Sequence, residues 1–244
     1  MKVAFVGATK GMGRSLARQM AARGDALCLL GRNATELDRS AADLLERGAA
    51  HASIGALDLE HPDTFGAALD TAETQLEGLD AVVITAGLFG TQEQLESDLE
   101  LARRVLTVNH AHTVVLCEHA KRRLLSRGGG VLCVFSSVAG DRGRKPVALY
   151  GSSKAGLSHY LESLDHKHRA DGLVTICVKP GFVKTSMTEG LKPPPFAGEA
   201  DAVAARVLRA IDRRQPMVYA PWIWRWIMQV IRLLPRFVMR RVGF

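Results

Sequence analysis

The feature that most restricts the fold of this chain is an alternation. Short apolar runs at Val3–Val6, Ala26–Leu30, Ala52–Leu57, Ala81–Thr85, Gly130–Ser136, Val174–Lys179 and Met217–Tyr219 are separated by longer stretches of helical period. A run that is apolar at nearly every position, not every second one, predicts a strand covered on both faces. The intervening stretches predict helices over roughly 12–23, 34–47, 62–77, 92–126, 149–170 and 199–213. Asn33, Asp63 and Gly198 stand where helices can start, and Gly24, Gly48 and Gly128 where they can stop. Such alternation closes as right-handed βαβ units. The expectation is a doubly wound α/β fold: a seven-stranded, mostly parallel sheet over 1–220 with helices on both faces, then an amphipathic C-terminal helix in 221–244. One long irregular stretch, Thr185–Gly198, holds Lys192-Pro193-Pro194-Pro195 and reads as a lid or substrate loop.

The first strand runs directly into Gly7-Ala8-Thr9-Lys10-Gly11-Met12-Gly13 and then an Ala/Leu-rich helix. Glycines there permit a tight turn and close approach of backbone to a pyrophosphate, which the helix N-terminus attracts. In this position the pattern predicts a Rossmann-type dinucleotide site. The second strand ends in Gly31-Arg32-Asn33, with no carboxylate to hold a ribose 2′-hydroxyl. Arg32, with Lys10 on the Gly-rich turn, suits a 2′-phosphate instead, so NADP(H) is expected in preference to NAD(H). Asp58, followed by Leu59, closes the third strand and is placed to accept from the adenine amino group. Ala86 and Gly87, after the fourth strand, allow close approach to the cofactor.

Tyr150 and Lys154 stand at i and i+4, on one face of a helix. An ammonium beside a phenol favours the phenolate, so this spacing predicts a lowered Tyr pKa and acid–base chemistry. Ser137 ends the fifth apolar run, at the carboxyl edge of a central strand where open α/β sheets bind ligands. Ser136 competes with it, but strand alternation sends the two hydroxyls to opposite faces.

These residues, in this order and spacing, resemble the short-chain dehydrogenase/reductase family over essentially 1–220. The matching pieces are Gly7/Gly11/Gly13, Asp58-Leu59, Asn109, Ser136-Ser137-Val138-Ala139-Gly140, Tyr150-x3-Lys154 and Pro180-Gly181-x-Val183-x-Thr185. The resemblance implies that Tyr150 protonates the substrate oxygen and Ser137 holds the carbonyl. It implies that Lys154 binds the nicotinamide ribose and tunes Tyr150, and that Asn109 positions a water leading to Lys154. Pro180–Thr185 would contact the nicotinamide carboxamide. One departure stands out: Asn-Asn-Ala-Gly is replaced by Ile84-Thr85-Ala86-Gly87, with Thr85 as the candidate to replace one lost brace. A narrower resemblance runs from about Ser136 to the end. It is to bacterial reductases of decaprenylphosphoryl keto-pentose, a lipid-linked sugar, through Tyr150-Gly-Ser-x-Lys154-Ala-Gly-Leu, Pro180-Gly-x-Val-x-Thr and Tyr219-Ala-Pro with the Arg-Trp-Ile-Met and Leu-Pro-Arg that follow.

The net charge of +7 is a local feature. Residues 221–244 hold Arg225, Arg232, Arg236, Arg240 and Arg241, with no Asp, Glu or Lys, and all three Trp (222, 224 and 226). The body is nearly neutral, which argues against a nucleic-acid partner. Arg225, Gln229, Arg232, Arg236 and Arg240 form one narrow polar stripe in a surface otherwise apolar, with a kink expected at Pro235. That suits a helix lying in an anionic membrane interface, on the inner face of the membrane of a cytoplasmic protein. The competing reading packs it on a partner subunit of a homo-oligomer or back on the core. The four Cys read as small buried hydrophobes in a reducing compartment, and no metal cluster is suggested. The leading expectation is an NADP(H)-dependent reductase or alcohol dehydrogenase acting on a hydrophobic or lipid-linked carbonyl substrate. The alternatives are a soluble reductase of small or polyketide-like ketones, whose tail builds an oligomer, and a non-catalytic NADP(H)-binding regulator.

Overall fold

The computed structural model describes residues 1–243. Seven strands form one sheet: β1 (Lys2–Val6), β2 (Ala26–Gly31), β3 (His51–Ala56), β4 (Ala81–Ile84), β5 (Gly130–Phe135), β6 (Leu173–Pro180) and β9 (Met217–Ala220). Their order is β3-β2-β1-β4-β5-β6-β9, and every neighbouring pair is parallel. The order reverses at β1, so the chain steps outward first through β2 and β3, then back through β4 to β9. That reversal opens a crevice at the carboxyl ends of β1 and β4, the place such sheets offer a ligand.

The helices cover both faces because the strands are apolar on both. On one face α1 (Gly11–Ala22), α2 (Ala34–Glu46) and α8 (Ala200–Asp212) bury Leu16, Met20, Leu37, Leu44, Val203 and Val207 against Phe5, Leu27 and Val83. On the other, α3 (Phe65–Leu76), α6 (Thr113–Ser126) and α7 (Ala148–His168) bury Phe65, Leu69, Leu116, Leu157 and Leu161 against Ala4, Val82 and Leu132. All four cysteines are free and buried.

The expected helix over 92–126 is four pieces. A short α4 (Gln92–Ser97) ends at Asp98, whose carboxylate accepts from Leu101 N and starts α5 (Leu99–Leu106). A π-helical turn at Thr107–His112 then leads into α6. Asn33 caps α2 as expected, accepting from Glu36 N, but Asp63 caps nothing: it lies in a 3₁₀ turn, Pro62–Thr64, ahead of α3. Gly198 does not start α8 either. It pairs in β8 (Gly198–Glu199) with β7 (Val183–Lys184), a two-stranded ribbon that closes the base of the Pro-rich stretch.

The C-terminal segment forms α9 (Ile223–Leu233) and, after the break at Pro235, the short α10 (Arg236–Met239). Helix α9 lies on the body, with Met228 and Ile231 buried beside Val138 and Tyr219. Its far side carries Trp226 and Leu233, with Trp222 just ahead of the helix, all exposed, and Phe237 of α10 continues that stripe. Among the described residues no helix is long and apolar enough to cross a membrane.

Candidate active site

Two hollows meet at the switch point. The first runs past the ends of β1, β2 and β3 and is lined by Gly7, Thr9, Arg32, Asp58, Leu59, Ala86 and Gly87 among others. Its floor exists because of what is missing. A Cβ on Gly13 would lie 2.0 Å from Gly7 O, and one on Gly7, at φ +95°, would lie 2.6 Å from Thr85 Oγ1. Only bare backbone packs this closely. Thr85 braces the turn, its hydroxyl donating to Gly7 O at 2.9 Å. The residue that departs from the family's Asn thus ties the end of β4 to the end of β1. No side chain caps the N-terminus of α1 and no acid stands in its first turn, so its N–H groups and positive dipole end stay available to an anion. These features fit a dinucleotide's pyrophosphate.

At the far end of this hollow the structure corrects one expectation. The sequence places Lys10 and Arg32 there with no acid. The fold adds Glu60, which lies 3.9 Å from Arg32 and is gripped through both oxygens by Arg104, at 2.6 and 3.0 Å. Hydrogen bonding to Arg104 holds the Glu60 carboxyl below its ordinary pKa, with Arg32 adding a smaller pull. Glu60 and Arg104 come from different elements, and only the topology brings them together. Lys10 is exposed at the head of α1, and Asn33 spends its side chain capping α2. Asp58 lines the hollow while accepting from Glu60 N at 3.0 Å.

The second hollow is a cavity of 1040 Å³, and Ser137, Tyr150 and Lys154 all line it. Ser137 follows β5, where its hydroxyl accepts from Ala139 N at 3.1 Å. Ser136 points the other way, as strand alternation requires. It is buried and bonds to Lys154 O at 3.0 Å and Ser158 Oγ at 2.7 Å, stapling α7 to the sheet. Tyr150 is in the first turn of α7 and meets Phe89 edge-to-face at 5.2 Å. Lys154, one turn on, is buried and donates to Phe135 O at 3.0 Å, with Nζ 5.9 Å from the Tyr150 ring centre. Gly87 brings the loop after β4 alongside: a Cβ there would lie 2.9 Å from Asn109 Oδ1 and 3.7 Å from Lys154 Nζ.

Burial, more than the i,i+4 ammonium, governs the two titrating groups. The Tyr150 phenol is pushed up to about 12 by loss of solvent, and the Ser137 hydroxyl pulls it back. The Lys154 ammonium is pushed down to about 8 by the same loss. The spacing rule expected a lowered Tyr150. In this geometry, Lys154 directs its proton at Phe135 O and the apolar cavity wins.

Asn109 lies on the π-helical turn and is buried. Both ends of its amide are committed to one residue: Nδ2 donates to Leu88 O and Oδ1 accepts from Leu88 N, each at 2.7 Å. It clamps the loop after β4 beside Lys154. Met12, Pro180, Gly181, Val183 and Thr185 line the cavity with the Tyr150 group, and Gly11 packs its turn against Thr185. Gly181 has a second reason to be glycine, since a Cβ on it would lie 2.1 Å from Trp224 Nε1.

That contact introduces the residues that sequence reasoning missed. Trp224, Ile227, Val230, Ile231 and Leu234 of the tail form one wall of the cavity. Arg144, Pro146 and Val147 form another part. The period of the tail marked its inner face as apolar, but nothing in a linear pattern names what that face covers. The wall is held by a buried ion pair. Lys179 of β6 meets Asp141 at 2.5 Å, and Tyr219 of β9 donates to the same carboxylate at 2.9 Å.

Comparison with known proteins agrees with this architecture. A family model described as short chain dehydrogenase matches residues 2–195. An uncharacterised oxidoreductase of Mycobacterium tuberculosis is 33% identical over 240 residues, covering 98% of this chain and 96% of that protein. The cis-4-hydroxycyclohexanecarboxylate dehydrogenase of Sinomonas cyclohexanicum is 31% identical over 193 residues, covering 78% and 76%. Among solved structures, levodione reductase superposes with a TM-score of 0.80 at 22% identity, covering 89% of this chain and 94% of its own. A short-chain dehydrogenase/reductase of Mycobacterium ulcerans gives 0.79 at 23% identity, covering 89% and 86%. The chain belongs to the short-chain dehydrogenase/reductase family. It is an oxidoreductase of that family, whose members bind a nicotinamide dinucleotide.

Proposed function

We propose that the protein is an NADP(H)-dependent reductase or dehydrogenase that interconverts a carbonyl and a secondary alcohol on a hydrophobic or lipid-linked substrate. The observation that carries this reading is the 1040 Å³ cavity in which Ser137, Tyr150 and Lys154 face mostly apolar walls. A nicotinamide cofactor supplies or accepts the hydride. Gly7, Thr9, Gly11 and Gly13 hold its pyrophosphate, Asp58 and Leu59 its adenine, and Arg32 with Lys10 its 2′-phosphate. Pro180–Thr185 hold the nicotinamide end.

The chain's own groups handle the proton. A phenol pushed up to about 12 is protonated at neutral pH, which is the form that gives a proton to a carbonyl oxygen. Ser137 donates a hydrogen bond to the same oxygen and fixes it toward Tyr150. Lys154, one helical turn on from Tyr150, holds the nicotinamide ribose. Asn109 holds Leu88, and with it the loop at Gly87, in place beside Lys154. The apolar walls exclude water from the reacting carbon.

The outer stripe of Trp222, Trp226, Leu233 and Phe237 rests on an anionic membrane surface, from which the substrate is drawn. Charge complementarity supports that partner, because residues 221–244 carry five Arg and no acid. A chain cut at 220 cannot test this, since it also loses the cavity wall. Flotation of W222S/W226S/F237S with phosphatidylglycerol vesicles does so: the variant stays in solution while the native chain floats. Equal flotation would remove the membrane from the proposal, and loss of a dimer on size exclusion without any flotation would favour the oligomer. Turnover of NADPH against NADH over keto-sugars, steroids and acyl ketones tests the chemistry, with NADPH and the bulkier apolar ketones preferred.

A further inference from the structure

The Tyr150 group draws on three segments that the chain delivers separately. Ser137 comes from the turn after β5, Tyr150 and Lys154 from α7, and Pro180 and Gly181 from the end of β6. Transfer of a hydride needs all three in one arrangement, and a displacement of about 1 Å can cost roughly 10²-fold in rate. Whatever fixes the turn that carries Ser137 is therefore part of the reaction's geometry.

On one side the turn is seated on α7. Its 3₁₀ segment, Val138–Gly140, packs so closely that a Cβ on Gly140 would lie 2.6 Å from Lys154 C, and one on Gly151 would lie 2.8 Å from Ala139 O. On the other side it is pinned by charge. Asp141 closes the turn, donating its N–H to Val138 O at 3.2 Å. Its carboxylate accepts from Lys179 Nζ at 2.5 Å and from the Tyr219 hydroxyl at 2.9 Å. The side chains of Lys179 and Asp141 are only 9% and 2% exposed. Lys179 and Tyr219 are register partners on β6 and β9, with Nζ 5.7 Å from the Tyr219 ring centre. Lys179 immediately precedes Pro180, whose carbonyl oxygen lies 3.5 Å from Ser137 Oγ. One cluster thus ties the Ser137 turn to the end of β6.

Stability alone does not call for charges here. A buried ion pair costs desolvation, and well-packed apolar residues in its place are often as stable. What a carboxylate with two directed donors adds is a fixed direction. Among the described residues, the lining of the cavity does not include Asp141, Lys179 or Tyr219, so they reach the chemistry only through the turn they hold.

We propose that Asp141, Lys179 and Tyr219 are positioning residues for the hydride transfer. Their cluster sets Ser137 against the end of β6, so that the oxygen Ser137 holds stays over the nicotinamide and within reach of Tyr150. The inference rests on the reductase reading and adds to it the groups that maintain its geometry.

The test uses the full chain, NADPH with and without deuterium at the transferred position, and the ketone of the panel above that the native chain reduces fastest. In K179M and in D141N, kcat per folded molecule should fall about 10²-fold with a full primary deuterium isotope effect, while KM for NADPH stays within about twofold. Y219F keeps the ion pair and should lose only about threefold. D141N/K179M removes both charges and leaves Tyr219 an acceptor. It should unfold at higher urea than D141N and still show the low kcat, because stability returns and direction does not. L124A loosens the core at the amino end of β5, where Leu124 packs on Gly130, and should lower stability without changing kcat or the isotope effect. Where D141N does not fold, Y219F and D141N/K179M carry the same test. A kcat that only follows the folded fraction would overturn the proposal, as would recovery of native kcat in D141N/K179M. Amide exchange separates this from failure of the reductase reading. If the native chain reduces no ketone, yet K179M loses protection at 139–141 and keeps it along α7, the reductase reading falls and the pin stands. Unchanged protection at 139–141 would remove the pin itself.

Discussion

The dinucleotide groove and the substrate cavity share one edge of one sheet, yet they are built by opposite means. The groove is made of backbone. Its shape follows from the absence of side chains at Gly7 and Gly13, which are close in sequence and adjacent to the strand they serve. The cavity is made of side chains drawn from the loop after β4, the turn after β5, α7, the Pro-rich stretch and the tail. The groove therefore tolerates almost no substitution and takes one ligand class. The cavity can change its occupant through any of several walls while the Tyr150 group stays in place. This difference teaches where chemistry and where specificity reside in the molecule.

The sharpest way to separate the two is Tyr150→Phe. Turnover should fall about 10³-fold while the dissociation constant for NADPH stays the same. Retained turnover would break the assignment of acid–base chemistry to the cavity. Asp141→Asn removes one partner of a buried pair and should cost about 3–5 kcal/mol in urea unfolding. The loss should open the wall at Val138 and α9 while α1 and α2 keep their amide protection in hydrogen exchange. Uniform loss of protection would show that the two regions are one cooperative unit.

Lys154→Met probes the boundary between them. Lys154 has a folded pKa of about 8 against an ordinary 10.5, so the unfolded chain binds more protons between those values. The sign follows: this group's penalty is constant below pH 8, and stability should rise with pH from about 8 toward 10.5. The full change is about 3 kcal/mol at most, and K154M should lack that slope. An identical slope in the variant would show that Lys154 is not desolvated.

Trp224→Ala enlarges the cavity alone. KM for a bulky apolar ketone should rise about tenfold and NADPH binding should not move. A shift in NADPH affinity instead would mean that the tail supports the groove through Gly181. The smallest effect belongs to Arg104→Gln, which releases Glu60 from its partner beside Arg32. Because the pair is exposed to solvent, the NADPH-over-NADH preference should fall only a few-fold. An unchanged preference would exclude Glu60 from cofactor selection.

How much of this was legible in the chain follows the same division. The seven apolar runs correspond to the seven sheet strands, and the helix ends at Gly24, Gly48 and Gly128 fall where the glycines stand. The stretch 92–126 read as one helix because its apolar period is unbroken. The interruption depends on Asp98 capping locally and on Asn109 finding Leu88, and periodicity carries neither. The tail read as a helix with one polar stripe and an apolar remainder. That remainder proves to be two faces, one buried against Val138 and Tyr219 and one exposed.

By itself the sequence determined the strand–helix alternation, the Gly-rich turn, the Tyr150–Lys154 spacing and the division of Ser136 from Ser137, because each depends on residues near one another in the chain. Tertiary structure alone decided that Glu60 meets Arg104 and that α9 walls the cavity. It alone joined Asp141, Lys179 and Tyr219 into one buried cluster, and it let burial outweigh the ammonium at Tyr150. Those outcomes depend on which elements the sheet order makes neighbours and on how much water the packing removes. Both are properties of the whole molecule, which no local pattern contains.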